Sequence, residues 1–174
     1  MFAKFGRKAA LVAGMAAVLA GVAALPAQAQ AQGVPVYRLT STLASLALDV
    51  SGGSTDSGAA VVQWPVNGGQ NQEWTLRGGS YGWQIVNYNS GDCLAVQGAS
   101  TDAGAPLVQY PCADVKYMEW GFEPGLSTGI YVLRNANSNQ VVDIPGGTGN
   151  WGTQLEQWPS NTGPNQTFAL YRVA

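Results

Sequence analysis

The 38-residue stretch from Tyr37 to Trp74, YRLTSTLASLALDVSGGSTDSGAAVVQWPVNGGQNQEW, decides the fold because its pattern recurs twice more in the chain. The second copy, at residues 83–120, reads WQIVNYNSGDCLAVQGASTDAGAPLVQYPCADVKYMEW. The third copy, at residues 131–168, reads YVLRNANSNQVVDIPGGTGNWGTQLEQWPSNTGPNQTF. The copies align without a gap at offsets of 46 and 48 residues. Self-similarity of this period is typical of folds built by repeating one small unit.

The three copies share their apolar, glycine and aromatic positions. A central position lies between two apolar residues and is occupied by Asp49, Ala95 and Asp143. After two glycines at fixed distances comes an aromatic residue that follows Gln and precedes Pro: Trp64, Tyr110 and Trp158. Each copy closes on a further aromatic residue, for which we predict a place in the hydrophobic core: Trp74, Trp120 and Phe168.

Short alternating apolar runs, separated by clusters of Gly, Asn, Ser and Pro, predict about four short strands in each copy. No window beyond the N-terminal segment has a helical period. Propellers usually need four to eight four-stranded blades, whereas three copies of four strands fit a β-trefoil, a barrel capped by hairpins. We therefore predict an all-β β-trefoil domain over residues 36–174, with repeats at about 37–82, 83–130 and 131–174.

The N-terminal segment has the composition of an export signal. Lys4, Arg7 and Lys8 precede an apolar run at residues 9–25, and Ala27-Gln28-Ala29 resembles a cleavage site. The alternative is a membrane anchor, but the run is at the short limit for crossing a bilayer. We predict a secretory signal peptide at residues 1–29, a linker at 30–35, and a secreted mature protein without a membrane span.

Charge argues against an anionic partner. The chain has eight basic and ten acidic residues. Three of the basic residues belong to the predicted signal peptide, so the mature chain carries a net charge of −5. No basic stripe is present, so the composition predicts neither nucleic-acid binding nor attraction to anionic membranes.

The residue inventory also restricts the chemistry. The chain has no His, which removes Ser–His–Asp catalysis and the commonest zinc ligand. Two Cys cannot form a metal site alone, and in an exported chain we predict that Cys93 and Cys112 form a disulfide. The ten carboxylates could include a glycosidase pair, but no motif singles one out. We therefore expect a non-enzymatic protein that needs no cofactor and no metal.

The ends of the copies carry a family resemblance. Copy one closes with Gln72-Glu73-Trp74 and copy three with Gln166-Thr167-Phe168, whereas copy two has Met118-Glu119-Trp120. The first resembles the Gln-x-Trp motif that closes each repeat in the ricin B-type lectin family of β-trefoils. Residues 90–96 resemble that family's Cys-Leu-Asp-Val strand, with Ala95 in place of Asp, and Cys112 matches the family's second half-cystine. The resemblance covers nearly the whole mature chain and implies up to three shallow sugar pockets.

The resemblance also implies roles for individual residues. In copy one, Asp49 would accept hydrogen bonds from sugar hydroxyls, Trp64 would stack on the pyranose ring, Asn71 would bind a further hydroxyl, and Gln72 would support the loop. In copy three the same roles fall to Asp143, Trp158, Asn165 and Gln166, with Glu156 on the face of the strand that carries Trp158. At the same positions copy two has Ala95, Tyr110, Tyr117 and Met118. Of the predicted binding groups it therefore keeps only the stacking aromatic, Tyr110.

These patterns predict a secreted lectin with sugar pockets in repeats one and three and a degenerate repeat two. The ligand would be a neutral mono-, oligo- or polysaccharide, without a preference among galactose-type, xylan-type and other glycans, and we expect a monomer. The alternative function is a β-trefoil inhibitor or protein-interaction module, because one fold hosts many functions.

Local alternatives remain for the candidate residues. Trp64 and Trp158 could be core residues, and Asp49 and Asp143 could cap turns. Trp151, which has no aromatic counterpart in the other copies, could widen the pocket of repeat three or be a surface aromatic residue.

Overall fold

The computed structural model describes residues 33–174. The predicted signal peptide and the first three residues of the predicted linker lie outside the described residues. Within the described part, no helix has the length and apolar character needed to cross a membrane.

The described residues form twelve short strands, four in each repeat, joined by turns and three-residue 3₁₀ segments. Repeat one contributes β1 (Val36–Ser41), β2 (Ala47–Val50), β3 (Val61–Trp64) and β4 (Trp74–Gly78). Repeat two contributes β5 (Trp83–Asn87), β6 (Cys93–Val96), β7 (Leu107–Tyr110) and β8 (Trp120–Pro124). Repeat three contributes β9 (Ile130–Asn135), β10 (Val141–Asp143), β11 (Glu156–Trp158) and β12 (Phe168–Arg172).

The first and fourth strands of the repeats close into a barrel. Antiparallel pairs run in the ring β1–β4–β5–β8–β9–β12 and back to β1. The second and third strands of each repeat form a hairpin, and single bridges join the three hairpins across the end of the barrel. This arrangement is a β-trefoil, so the predicted fold class is confirmed.

The repeated apolar positions form one core. The closing aromatic residues Trp74, Trp120 and Phe168 are fully buried, as predicted. The indole Nε1 of Trp74 donates to the carbonyl of Leu48 at 3.2 Å, and that of Trp120 donates to Leu94 at 3.0 Å. Around them pack equivalent apolar residues of each repeat: Leu39, Ile85 and Leu133; Val61, Leu107 and Leu155; Val50, Val96 and Ile144.

The disulfide between Cys93 and Cys112 is present, with 5.0 Å between the two Cα atoms. It joins the start of β6 to the segment that follows β7, within a small cluster that includes Ala95 and Met118. The predicted disulfide therefore lies within repeat two.

Candidate functional site

Repeat one has a groove of about 410 Å³ beside its β2–β3 hairpin. The turn that follows β2 forms one wall, and the segment between β3 and β4 forms another. The lining residues are Asp49, Ser51, Gly52, Gly53, Val62, Trp64, Asn67 and Asn71. The structure thus brings three of the predicted binding residues to one groove, and Gln72 lies behind them.

Asp49 lies at the bottom of this groove and is only 3% exposed. Gln72 holds its carboxylate, because Gln72 Nε2 donates to Asp49 Oδ2 at 2.8 Å. The same amide donates to the carbonyl of Pro65, and its oxygen accepts a hydrogen bond from the backbone N–H of Asn67. Gln72 therefore fixes both the acid and the opposite wall. Asn71 donates to the carbonyl of Val50 at 3.1 Å, at the end of β2.

Repeat three has a matching groove of about 430 Å³. Its lining residues are Asp143, Gly146, Gly147, Glu156, Trp158, Asn161 and Asn165. Asp143 Oδ1 accepts two hydrogen bonds, from Asn165 Nδ2 at 2.7 Å and from Gln166 Nε2 at 2.8 Å. All five residues predicted for this repeat therefore lie at one place, with Gln166 behind the carboxylate.

The aromatic and acidic side chains do not fit their structural alternatives. Trp64 is 41% exposed and Trp158 is 43% exposed, so neither is a core residue. The hydrogen bonds that the two Asp carboxylates accept come from side-chain amides, and both residues lie within strands. Turn capping does not explain them.

Cross-strand pairing makes the two grooves chemically different. Asp49 pairs with Val62, whereas Asp143 pairs with Glu156. Val62 is buried and apolar, so the groove of repeat one has a single carboxylate. The groove of repeat three has two.

Burial raises the pKa of Asp49 and that of Asp143, although the amide hydrogen bonds act in the opposite direction. Burial also raises the pKa of Glu156, and the negative charge of Asp143 adds to that effect. A raised pKa means that the ionised form of the carboxylate is less favourable in the folded protein than in water. Carboxylates with shifted pKa values are typical of functional sites but not confined to them.

Repeat two keeps the groove without its acid. The lining residues are Gly98, Ala99, Tyr110, Pro111, Ala113, Tyr117 and Met118. Ala95, at the position of the two Asp residues, is fully buried against Val108. This groove therefore offers an aromatic ring and apolar surface without a carboxylate.

Sequence reasoning missed Asn67 and Asn161, which line the two acidic grooves. They occupy one position of the repeat, and repeat two has Ala113 there. Like the Asp residues, this Asn is present in copies one and three and replaced by Ala in copy two. The alignment of the copies could therefore have identified Asn67 and Asn161.

Sequence reasoning also missed the residue before each groove aromatic: Gln63, Gln109 and Gln157. All three are buried, and the Nε2 of each donates to two backbone carbonyls of the hairpin loop of another repeat. Gln63 binds the β10–β11 loop, Gln109 binds the β2–β3 loop, and Gln157 binds the β6–β7 loop. Each groove aromatic therefore stands beside a loop of a different repeat.

This arrangement decides between the two alternatives for Trp151, the edge of the pocket in its own repeat or a surface position. Trp151 is a surface aromatic residue, 67% exposed, and it does not line the groove of repeat three. Its ring centroid lies 6.1 Å from that of Trp64, in repeat one. The neighbouring Gly152 has a φ of +77°, a left-handed conformation that favours glycine, and it packs against the edge of the Trp64 ring.

The residues that the structure describes include no group of three or more acidic or Cys side chains placed to hold a metal ion.

A family model described as ricin-type beta-trefoil lectin domain-like matches residues 27–110, 71–158 and 116–174. The chain belongs to this family. Among curated protein sequences, none matches the chain.

Solved structures of similar fold include a designed protein and natural ones. The designed threefold-symmetric protein ThreeFoil is 32% identical, with a TM-score of 0.75; 78% of this chain and 97% of that chain are covered. An exo-beta-1,3-galactanase from Clostridium thermocellum is 30% identical, with a TM-score of 0.77. The match covers 81% of this chain but only 30% of the galactanase chain.

A ricin B-like lectin from Macrolepiota procera, solved in complex with lactose, shares the fold. It is 24% identical, with a TM-score of 0.69, and the match covers 79% of this chain and 94% of that lectin. Membership of the ricin-type lectin-like family points to carbohydrate binding.

Proposed function

We propose that this chain is a secreted, non-enzymatic lectin that binds a neutral sugar in the grooves of repeats one and three. The observation that carries the proposal is the meeting of an amide-held carboxylate with a half-exposed indole in those two grooves. The groove of repeat two has no carboxylate and is proposed to bind no sugar.

These groups suit a pyranose. A sugar ring presents hydroxyl donors and a patch of C–H groups. The carboxylates of Asp49 and Asp143 accept from hydroxyls, and charge-assisted hydrogen bonds of this kind contribute roughly 1.5–3 kcal/mol. Trp64 and Trp158 supply flat apolar faces for the C–H patch.

Open grooves of this kind predict weak single sites. With solvent on one side of the ligand, we expect roughly 4 kcal/mol per site, which corresponds to about millimolar affinity. Two sites on one rigid domain raise the apparent affinity for a polymer by about 10²–10⁴ where both can engage it. Salt should change binding little, because a neutral ligand forms no ion pair that salt could screen.

The first experiment compares wild-type protein with an Asp49→Ala/Asp143→Ala variant on a glycan array that includes lactose and GalNAc. Lactose and GalNAc belong in the set because two structural neighbours, the Macrolepiota procera lectin and an earthworm R-type lectin, were solved in complex with them. We expect the wild type to bind a defined sugar and the double variant to lose that binding while its circular dichroism spectrum and melting temperature stay native-like.

Tyr110→Ala provides the matched control, because Tyr110 occupies the aromatic position of repeat two. The Tyr110→Ala variant should bind sugar like the wild type, whereas the Trp64→Ala/Trp158→Ala variant should lose sugar binding. Equal binding by the wild type and the double Asp variant would overturn the lectin proposal. The alternative, a protein-interaction or inhibitor module, would then be favoured.

The proposal of secretion rests on the composition of residues 1–29 and agrees with the disulfide, since disulfides persist in oxidising compartments. Expression of the full chain in a secreting host should yield extracellular protein whose first residue is Gln30. Retention of Met1 in a cell-associated product would contradict it.

A further inference from the structure

Two indoles lie close together at repeat one, where Trp64 lines the groove and Trp151 lies beside Trp64. Trp151 reaches across from repeat three, its ring plane is inclined by 57° to that of Trp64, and it is 67% exposed. A large apolar side chain in this position gains little from burial, so the core does not account for it.

The loop that carries Trp151 is fixed to the strand that carries Trp64. Gln63 Nε2 donates to the carbonyls of Thr148 and Asn150, each at 2.8 Å. The backbone adds two more hydrogen bonds, from Gln63 N to the carbonyl of Thr153 and from Gly152 N to the carbonyl of Gln63. The two indoles are therefore held at a set separation, which preorganises them for a ligand that contacts both.

The other two grooves have the loop but lack the second indole. The alignment of the repeats places Ser57 beside Tyr110 and Ala103 beside Trp158 at the position of Trp151. The groove of repeat one also has Val62 where repeat three has Glu156. The groove of repeat one thus has one acid and one indole with a second indole beside it, whereas the groove of repeat three has two acids and a single indole.

We propose that Trp151 forms a second sugar-stacking subsite, so that repeat one takes a neutral oligosaccharide of at least two units while repeat three takes a single unit. This inference rests on the proposed sugar binding. One sugar ring lies on Trp64 beside Asp49, and the next lies on Trp151, rotated relative to the first because the two indole planes are inclined.

The test measures affinity against chain length by calorimetry. The probes are galactose with β-1,3-galacto-oligosaccharides, xylose with xylo-oligosaccharides, and glucose with cello-oligosaccharides, each of one to four units. The protein carries Trp158→Ala, which removes binding by repeat three, so that the measured affinity is that of repeat one alone. We expect the trisaccharide of a bound series to bind about tenfold more tightly than its monosaccharide, and Trp151→Ser to bring that ratio close to one.

Ser57→Ala, at the same loop position beside repeat two, is the matched control and should keep the ratio. The reverse experiment introduces Ala103→Trp into a Trp64→Ala background, where only repeat three reports, and should create the length dependence there. A ratio that Trp151→Ser leaves unchanged would overturn the subsite. So would an equal loss for monosaccharide and trisaccharide, which would place Trp151 in the primary pocket. Absence of binding to every glycan on the array would instead overturn the proposed function itself.

Discussion

Repeats two and three share the same order of four strands but have different grooves. Both have a fully buried closing aromatic residue, a buried Gln that holds the loop of another repeat, and a groove beside the hairpin. In repeat three the groove contains Asp143, Glu156 and Asn165, whereas repeat two has Ala95, Val108 and Tyr117 at these positions. The comparison teaches that the fold and the site depend on separate sets of residues.

The disulfide is a further difference between repeat two and the other two repeats. Repeat two contains the disulfide and a cluster in which Cys93, Ala95 and Met118 are buried together. Apolar packing there takes the place of the hydrogen bonds between carboxylate and amide in the other repeats.

The largest expected effect comes from placing the acid of repeat three into repeat two. Ala95→Asp buries a carboxylate next to Met118, whose side chain has no N–H to donate, so we expect the free energy of unfolding to fall by about 4 kcal/mol. Chemical denaturation at pH 7 measures this change.

Ala95→Asp/Met118→Gln adds the amide donor that Gln166 supplies to Asp143. This variant should recover about half of the lost stability, because the buried carboxylate regains a hydrogen-bond partner. If Ala95→Asp alone were as stable as the wild type, the argument that each buried acid depends on its amide would be wrong.

The second effect concerns the staple. Cys93→Ala/Cys112→Ala releases a loop of about 20 residues and should cost about 3 kcal/mol, which lowers the melting temperature by about 10 °C. Below that temperature, sugar binding should stay unchanged because the acidic grooves belong to repeats one and three. Calorimetric melting and a sugar titration check both parts. Loss of binding by a folded variant would connect the staple to the sites.

Much of the fold followed from the alignment of the three copies. Closing aromatic residues recur at fixed spacing, and only a closed arrangement of three units buries all of them, so Trp74, Trp120 and Phe168 predicted the core. The candidate residues of one groove mostly lie within one copy, so Asp143, Trp158 and Asn165 could be grouped from the sequence.

Contacts between copies were not predictable in this way. Gln63 and Trp64 meet the β10–β11 loop only because the hairpins bridge around the barrel end, and the chain separation of 87 residues between Trp64 and Trp151 gives no local signal. For that reason the sequence left open whether Trp151 borders the pocket of its own repeat or lies at the surface, and it did not indicate the contact with Trp64. Glu156 posed no such difficulty, since strand alternation alone puts it on the face that carries Trp158.

The third prediction uses the carboxylate pair of repeat three. Burial holds the pKa of Asp143 above 3.8 and that of Glu156 above 4.5. The folded state then binds these protons more tightly than the unfolded chain does. The contribution of both groups to the free energy of unfolding therefore falls as the pH rises from the ordinary pKa values through the raised ones. Compared with its protonated form, ionised Asp143 is therefore less favourable in the folded protein than in the unfolded chain.

Asp143→Asn should accordingly leave the melting temperature at pH 7 unchanged or raise it, while sugar affinity in a Trp64→Ala background falls about tenfold because an amide oxygen is a weaker acceptor. In the Trp64→Ala protein, affinity should also decline as the pH falls through an acidic range above 3.8, because the proton occupies the acceptor. A melting temperature several degrees lower for Asp143→Asn would mean that the carboxylate serves the fold.

The smallest effect concerns a hydrogen bond that repeat one lacks. Ser90 Oγ donates to Gln109 Oε1 at 2.7 Å, and Ser138 Oγ donates to Gln157 Oε1 at 2.6 Å. Repeat one has Ala44 at this position, and the buried Oε1 of Gln63 has no partner among the described residues. Ala44→Ser should supply the donor and raise the free energy of unfolding by about 1 kcal/mol.

Ala44→Ser should stabilise the β10–β11 loop as well as the whole fold, because Gln63 holds the loop that carries Trp151. Hydrogen exchange of residues 148–153 should slow in Ala44→Ser, and the preference of repeat one for longer sugars should strengthen as the two indoles become more rigidly placed. Ser45→Ala, one residue further along, is the control for a change in side-chain size. If Ala44→Ser stabilised the protein without slowing exchange in that loop, Gln63 would not be the link between the two repeats.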